Sequence, residues 1–321
     1  MTGPLNRLLI VAPNWLGDAV MALPAIADVR RAMPAATIKI SARPAIAPLF
    51  ALVGEVDGVA SIDEGFDGAL LLPNSFHAAW KTYRAHIPER WGYRTDWRGT
   101  LLTRAVAPPR RVHQVEYYQH LVRGLGVATT AGEPRIDVPA AARETAANLL
   151  ARSGWDRRHR LAALAPGAAY GGAKRWPAES FADLASGLAS DGVQSVLVGS
   201  AADRETAAAV AERFRSAVGP PPIDLTGRTD LAALAGVLTH CRALITNDSG
   251  AMHVAAAAGV PVTAVFGPTD ENATRPLGES HRVLTHPVWC RPCMLRECPI
   301  DHRCMRGVSV ASVAEAARRT L

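Results

Sequence analysis

Ala243-Leu244-Ile245-Thr246, followed by Asn247-Asp248-Ser249-Gly250 and then Ala251-Met252-His253-Val254, is the stretch whose reading decides the fold. A short apolar run bounded by turn-forming residues predicts a buried strand. An Ala-rich helix is expected over Ala251–Ala258, and a second apolar strand at Val262–Phe266. Strand, helix and strand in that order imply a crossover unit and a parallel sheet.

The same alternation extends in both directions. Upstream lie a strand at Leu161–Ala165, a helix at Pro177–Asp191, a strand at Ser195–Val198, a helix at Arg204–Ser216, a short strand at Ile223–Leu225 and a helix at Asp230–His240. The first half repeats the scheme. Its expected strands are Leu8–Ala12, Thr37–Ala42 and Ala69–Leu72; its expected helices are Asp18–Met33, Pro44–Leu52, Ser75–Ala85 and Gln114–Gly124. A Pro-flanked strand near 134 and a helix over Ala140–Arg152 close that half, and Val310–Thr320 is a last helix. The charged run Asp156-Arg157-Arg158-His159-Arg160 marks the expected break, giving domains 1–155 and 156–321. The fold class is therefore α/β, two doubly wound Rossmann-like domains facing a central cleft.

Composition agrees. The 321 residues suit about two domains, and 49% apolar with 20% charged residues is ordinary for a globular chain. The net charge of +6 is too mild to point to nucleic acid by itself. Of 35 basic residues only Lys39, Lys81 and Lys174 are lysines, so each lysine stands out. The first apolar run is too short for a signal-peptide core and no run is long enough to span a bilayer, so a cytoplasmic chain is expected. Four of five cysteines crowd between 290 and 304, unlike a secreted disulfide framework.

In such sheets ligands bind beyond the carboxyl ends of the strands. After the first strand comes Pro13-Asn14-Trp15-Leu16-Gly17-Asp18. Asp18 is either a helix cap or a carboxylate able to act as general base. With one glycine, this loop is not a dinucleotide fingerprint. After Leu161–Ala165 comes Pro166-Gly167-Ala168-Ala169-Tyr170-Gly171-Gly172-Ala173-Lys174-Arg175-Trp176, whose small residues and adjacent cations either cradle an anion or form a solvated loop. In the third loop Ser249 is expected as N-cap, leaving the N–H groups of Gly250 and Ala251 near a phosphate site; Asp248 is a second cap or a site acid. His253 is a core histidine or a site residue. After Ser195–Val198, Glu205 either binds ribose hydroxyls or begins a helix with favourable charge.

Residues 81–111 carry eight basic residues against Glu89 and Asp96, interleaved with Tyr83, Trp91, Tyr93 and Trp97 and preceded by Trp80. Arg90, Arg94 and Arg98 recur every four residues and are expected to point together at an anionic acceptor. Aromatic plus basic residues also suit single-stranded nucleic acid. Cys290, Cys293, Cys298 and Cys304 are candidate zinc ligands of a structural site, though their spacing is not that of a standard finger.

Three segments carry a resemblance: Ala12–Asp18; Pro166-Gly167-Ala168 with Ala173–Pro177; and Asp248-Ser249-Gly250-Ala251-Met252-His253-Val254-Ala255. Together with Phe266-Gly267-Pro268-Thr269 and the cysteine cluster, they resemble the ADP-heptose:lipopolysaccharide heptosyltransferases of glycosyltransferase family 9, most nearly the heptosyltransferase II type. The resemblance implies a GT-B fold with an acceptor domain first, a donor domain second and a final helix returning toward the first. It implies inverting, metal-independent transfer from ADP-L-glycero-β-D-manno-heptose to the first heptose of the lipopolysaccharide inner core, with no cofactor required. Asp18 then matches the base and Lys174, with Arg175 beside it, the phosphate-contacting lysine. Asp248 matches the acid near the sugar, Ser249-Gly250-Ala251 the diphosphate-binding helix start and His253 the histidine of that helix; Glu205 is a looser match. Ala169 departs from the acidic residue that often follows Pro-Gly-Ala. The implied partners are ADP-heptose, a Kdo-lipid A heptose acceptor and, peripherally, the cytoplasmic leaflet of the inner membrane; no nucleic acid is expected. Another GT-B nucleotide-sugar enzyme, a heptosyltransferase I type or an epimerase, is the alternative, and a basic nucleic-acid-binding module a more distant one.

Overall fold

The computed structural model describes residues 5–216 and 219–321. The chain divides into two compact units, Met1–Asp137 and Val138–Leu321, each built on a parallel sheet. In the first, strands β1 (Arg7–Val11), β2 (Thr37–Ser41), β3 (Gly68–Leu71), β4 (Glu89–Tyr93) and β5 (Arg104–Val106) lie in the order β2-β1-β3-β4-β5. All pairs are parallel. Leu8, Leu9 and Ile10 of β1 are wholly buried, as are Ala69 and Leu71 of β3. Burial on both faces is why these strands are continuous apolar runs rather than alternating ones. The helices are α1 (Leu16–Met21), α2 (Leu23–Ala32), α3 (Phe76–Arg84) and α4 (Gln114–Gly124). The single helix expected over 18–33 is two, with Pro24 in the first turn of the second, where its missing N–H costs no hydrogen bond. The short helix expected over 44–52 is a 3₁₀ helix at Ala47–Leu52.

The second unit has β6 (Arg160–Ala165), β7 (Val193–Leu197), β8 (Ile223–Asp224), β9 (Cys241–Asn247), β10 (Val262–Phe266) and β11 (Arg282–Thr285), in the order β11-β10-β9-β6-β7-β8. Its helices are α5 (Ala140–Arg152), α6 (Ala178–Ser190), α7 (Arg204–Arg213), α8 (Leu231–His240), α9 (Gly250–Ala257), α10 (Glu271–Thr274), α11 (Arg303–Arg306) and α12 (Val310–Arg318). The core of this unit gathers Trp176, Phe181, Leu184, Val193, Leu197 and Met305. Trp176 and Phe181 meet edge to face, ring centroids 5.0 Å apart. The buried indole N–H of Trp176 is satisfied by the Val308 carbonyl at 2.9 Å.

One boundary differs from expectation. The break falls at 137/138, not at 155/156, because α5 belongs to the second unit. It lies against α8, where a Cβ on Gly236 would come within 2.7 Å of the Ala142 carbonyl and 2.9 Å of the Ala146 side chain. Only glycine lets the two backbones approach so closely. The last helix, α12, packs on the second unit. Val313 and Ala317 of α12 are part of its core, and Arg318 pairs with Asp191 at the end of α6 at 2.9 Å.

In each sheet the strand order reverses beside the first strand of its unit, between β1 and β3 and between β6 and β9. Those are the switch points beyond which such folds bind ligands. The loops singled out in the sequence begin there: the one after β1 holds Asp18, and those after β6 and β9 hold Lys174 and Asp248.

Candidate functional site

Asn247 at the end of β9 organises the second unit's site. Its amide nitrogen donates to the carbonyls of Pro166 (2.8 Å) and Gly167 (3.2 Å), and its amide oxygen accepts from the Trp176 N–H at 2.9 Å. One fully buried side chain thus pins both ends of the loop between β6 and α6. Inside that loop Lys174 Nζ reaches Asp248 Oδ2 at 2.5 Å, and Thr269 Oγ1 donates to the same oxygen at 2.7 Å. The lysine and aspartate side chains are 12% and 7% exposed. This is a nearly dry ion pair with a hydrogen-bonded hydroxyl, an arrangement in which loss of one partner strands a charge. Lys174 Nζ also lies 4.7 Å from the centroid of the Tyr170 ring, as the Arg296 guanidinium does at 5.3 Å.

Ser249 occupies the N-cap position of α9 but does not cap with its side chain. Its hydroxyl is 3.1 Å from Thr246 Oγ1 instead. The first N–H groups of α9, at Gly250 and Ala251, therefore have no side-chain acceptor from the cap, and the helix dipole adds positive potential there. His253 is buried in the first turn of the same helix. Sequence reading brought Lys174, Asp248, Ser249, Gly250 and Ala251 to one place, and the structure gathers them.

Arg175 is exposed. Glu205 is exposed in the first turn of α7. The acid that abuts the β6 loop is Asp203: its carboxylate accepts from Ser200 N at 2.9 Å and Ser200 Oγ at 2.7 Å, and it occupies the space a side chain on Gly167 would need. The Ser-x-x-Asp spacing of a capping box was the signal that would have separated the two acids.

The cysteine-rich segment takes a different part from the one expected. Among the described residues no group of three or more His, Cys, Asp or Glu side chains is placed to hold a metal ion. Cys290, Cys293, Cys298 and Cys304 are free thiols, Cys293 exposed and Cys304 buried. Cys298 Sγ accepts from the His302 N–H at 3.3 Å. Burial first, and the neighbouring thiols second, push the Cys304 thiol up. What the segment does is brace the β6 loop. The Met294 carbonyl accepts from the Tyr170 hydroxyl at 2.8 Å, the Arg296 carbonyl from Ala173 N at 2.9 Å, and Glu297 Oε1 from Gly172 N at 3.0 Å. Gly171, at φ +156°, lies so close to the Arg296 backbone that a side chain would overlap it.

In the first unit Asp18 is the third residue of α1 and half-exposed, and Trp15 holds the cap position. Asp18 is thus a first-turn acid rather than the cap. Its charge is the second cause, after burial, of the raised Tyr118 phenol. The arginine trio does not point together. Arg98 is fully buried: Nε donates to the Tyr93 carbonyl at 2.8 Å, one terminal nitrogen to the Pro73 and Ser75 carbonyls, and the other has no partner. Burial pulls this guanidinium down to about 10. Arg90 donates to the carbonyls of Leu101 (2.7 Å), Ile87 (2.6 Å) and Pro88 (3.0 Å). Only Arg94 is an exposed cation. Spacing by four in the sequence was misleading because β4 ends at Tyr93 and a turn follows at 96–97, so the three side chains leave from a strand, an irregular link and a 3₁₀ start.

Comparison with known proteins locates the chain further. The model of glycosyltransferase family 9 (heptosyltransferase) matches residues 60–303. Lipopolysaccharide heptosyltransferase 2 of Escherichia coli is 31% identical over 307 residues, covering 87% of each chain. The solved structure of the E. coli ADP-heptose lps heptosyltransferase II superimposes with a TM-score of 0.86 at 27% identity, over 98% of both chains. An E. coli heptosyltransferase with ADP-2-deoxy-2-fluoro heptose shares the fold at a TM-score of 0.73 and 20% identity, over 98% of this chain and all of that one.

Proposed function

Because this chain belongs to glycosyltransferase family 9, the heptosyltransferases, we propose that it transfers heptose from an ADP-heptose donor to the first heptose of the lipopolysaccharide inner core. The observation that carries the reading is the Lys174–Asp248–Thr269 cluster beside the start of α9. An ammonium has three N–H donors. With one of them on Asp248, Lys174 keeps two for a diphosphate, and the N–H groups of Gly250 and Ala251 supply more. As the glycosidic oxygen leaves with ADP it gains negative charge, and these fixed donors stabilise it more than they do the ground state. Asp248, Arg175, Glu205 and His253 complete the donor contacts in this reading, Glu205 toward the ribose.

In the first unit Asp18 takes the proton of the acceptor hydroxyl as its oxygen bonds to the anomeric carbon and the bond to the diphosphate breaks. One displacement inverts the centre. General-base help of this kind is worth roughly 10²–10⁴ in rate. No step calls on a metal. Of the arginine trio, exposed Arg94 is the one we assign to acceptor anions. The acceptor is lipid-borne, so the reading includes peripheral contact with the cytoplasmic leaflet; among the described residues no helix is long and apolar enough to cross a membrane.

The test is a donor panel with a heptosyl-Kdo-lipid A acceptor. Turnover of ADP-heptose, and not of UDP- or other ADP-sugars, is expected. Preferred turnover of another nucleotide sugar, or none with an acceptor bearing a single heptose, overturns the assignment.

A further inference from the structure

The outward face of α3 is aromatic. Phe76, Trp80 and Tyr83, spaced for one helix face, are 42%, 40% and 47% exposed. Their rings form a ladder, with centroids 6.3 Å apart from Phe76 to Trp80 and 5.8 Å from Trp80 to Tyr83. The helix buries Ala78, Ala79 and Thr82 instead, so its large apolar groups face water and its small ones face the core. That inverts the pattern of a helix that serves only its own fold.

Cations accompany the ladder. The Arg84 guanidinium lies 5.9 Å from the Trp80 ring and that of Arg90 5.5 Å from Tyr83; Lys81 is exposed on the same helix. Phe76–Arg84 contains no acid. The two acids of the surrounding segment are turned to internal duties. Glu89 accepts from the Trp91 indole at 3.0 Å and the Thr103 hydroxyl at 2.9 Å, and Asp96 from the Phe76 N–H at 2.5 Å.

That last bond brings Trp97 to the start of α3. Trp97 is 95% exposed, and it and Asp96 both have left-handed backbones, φ 56° and 49°. Such a conformation is costly for a bulky residue, and the fully exposed indole gains nothing from its own fold in return.

We propose that the aromatic face of α3, with Trp97 at its start, docks this chain on an anionic lipid surface. Trp and Tyr partition to the boundary between headgroups and acyl chains, and basic residues beside them are drawn by anionic lipid. The face rises from the β3 carboxyl end, next to the β1 loop that carries Asp18. Docking there sets the proposed base at the edge where a lipid-borne acceptor emerges. The proposal rests on the membrane contact read above and names its surface.

The test is co-sedimentation of the full chain with vesicles of phosphatidylglycerol and phosphatidylcholine in equal parts, beside vesicles of phosphatidylcholine alone. Wild type is expected to bind the anionic vesicles and to release with salt. Trp80→Ser/Tyr83→Ser/Trp97→Ser should bind about tenfold or more weakly, keep its melting temperature and turn over a water-soluble deacylated acceptor at the wild-type rate. Trp97→Gly, which relieves the backbone, should show the same loss in part. If wild type binds and the triple variant binds equally, the face is wrong and the membrane reading stands. If wild type ignores both vesicles, both fall. If the triple variant instead loses affinity for single-stranded oligonucleotide while keeping the vesicles, the ladder serves base stacking and the proposal is overturned.

Discussion

The carboxyl ends of the two sheets are built by opposite means. In the second unit Lys174, Asp248, Thr269 and Asn247 are nearly out of water and bonded to one another. In the first, Asp18 is half-exposed, Arg94 projects into solvent, and the surface beyond carries Trp15, Phe76 and Trp97. A small, invariant ligand rewards donors fixed in advance, because nothing then reorganises during reaction. A large, lipid-anchored ligand is met by a surface, and its affinity comes from many weak contacts.

The contrast can be broken most sharply at Asp18. Asp18→Asn should leave ADP affinity and melting temperature intact and lower kcat by at least ~10²-fold. Steady-state kinetics with calorimetry of ADP decides it, and unchanged turnover would leave Asp18 as a first-turn helix acid.

Lys174→Ala tests the opposite kind of site. It should weaken ADP about tenfold or more and also destabilise the second unit, because a buried carboxylate left without its partner costs about 3–5 kcal/mol. Lys174→Ala/Asp248→Asn should restore most of the melting temperature and none of the ADP affinity. Lys174→Arg should recover only part, since a planar fork does not place charge where an ammonium does. Full ADP affinity in the alanine variant sinks the phosphate role.

The arginines give a smaller, two-sided effect. Arg94→Gln should raise the acceptor KM a few-fold, more at low ionic strength, with stability unchanged. Arg98→Gln should lower the melting temperature and leave the salt response of KM alone, since its guanidinium holds the carbonyls of Tyr93, Pro73 and Ser75. Reversal of these two phenotypes would exchange the roles.

The smallest effect is kinetic. Burial pushes the Cys241 thiol up to about 12 and also raises Cys304. Thiolate is the reactive form, so iodoacetamide at pH 8 should alkylate exposed Cys293 first and Cys241 only after unfolding. Early labelling of Cys241 by mass spectrometry would contradict the packing around β9.

These contrasts also mark what was legible beforehand. Central strands such as Leu8–Val11 and Ala162–Ala165 are readable because both faces are buried and the runs stay apolar. Three charge-bearing strands are not. Glu89–Tyr93, Arg104–Val106 and Arg282–Thr285 carry charges and were passed over. Motif loops revealed Lys174 and Asp248, since a lysine in an arginine-rich chain and an Asn-Asp-Ser-Gly turn after a strand have local causes. Thr269 and Asn247 act across the sheet, 21 and 71 residues from the Asp248 and Trp176 they hold, and nothing local announces that. Arg98 defied reading because an arginine is presumed solvated, and only tertiary contact shows three carbonyls closing on it.

Asn247 has a consequence for how this scaffold can change. Because one side chain seats both feet of the segment from Pro166 to Trp176, the intervening residues can lengthen, shorten or be exchanged without moving the points where they leave and rejoin the sheet. Such a segment is a replaceable cartridge in a fixed socket. Under the proposed donor role, preference would be re-tuned by grafting between those feet, provided the graft keeps the small residues that face Arg296 and Asp203 and the buried Ala168 and Ala173.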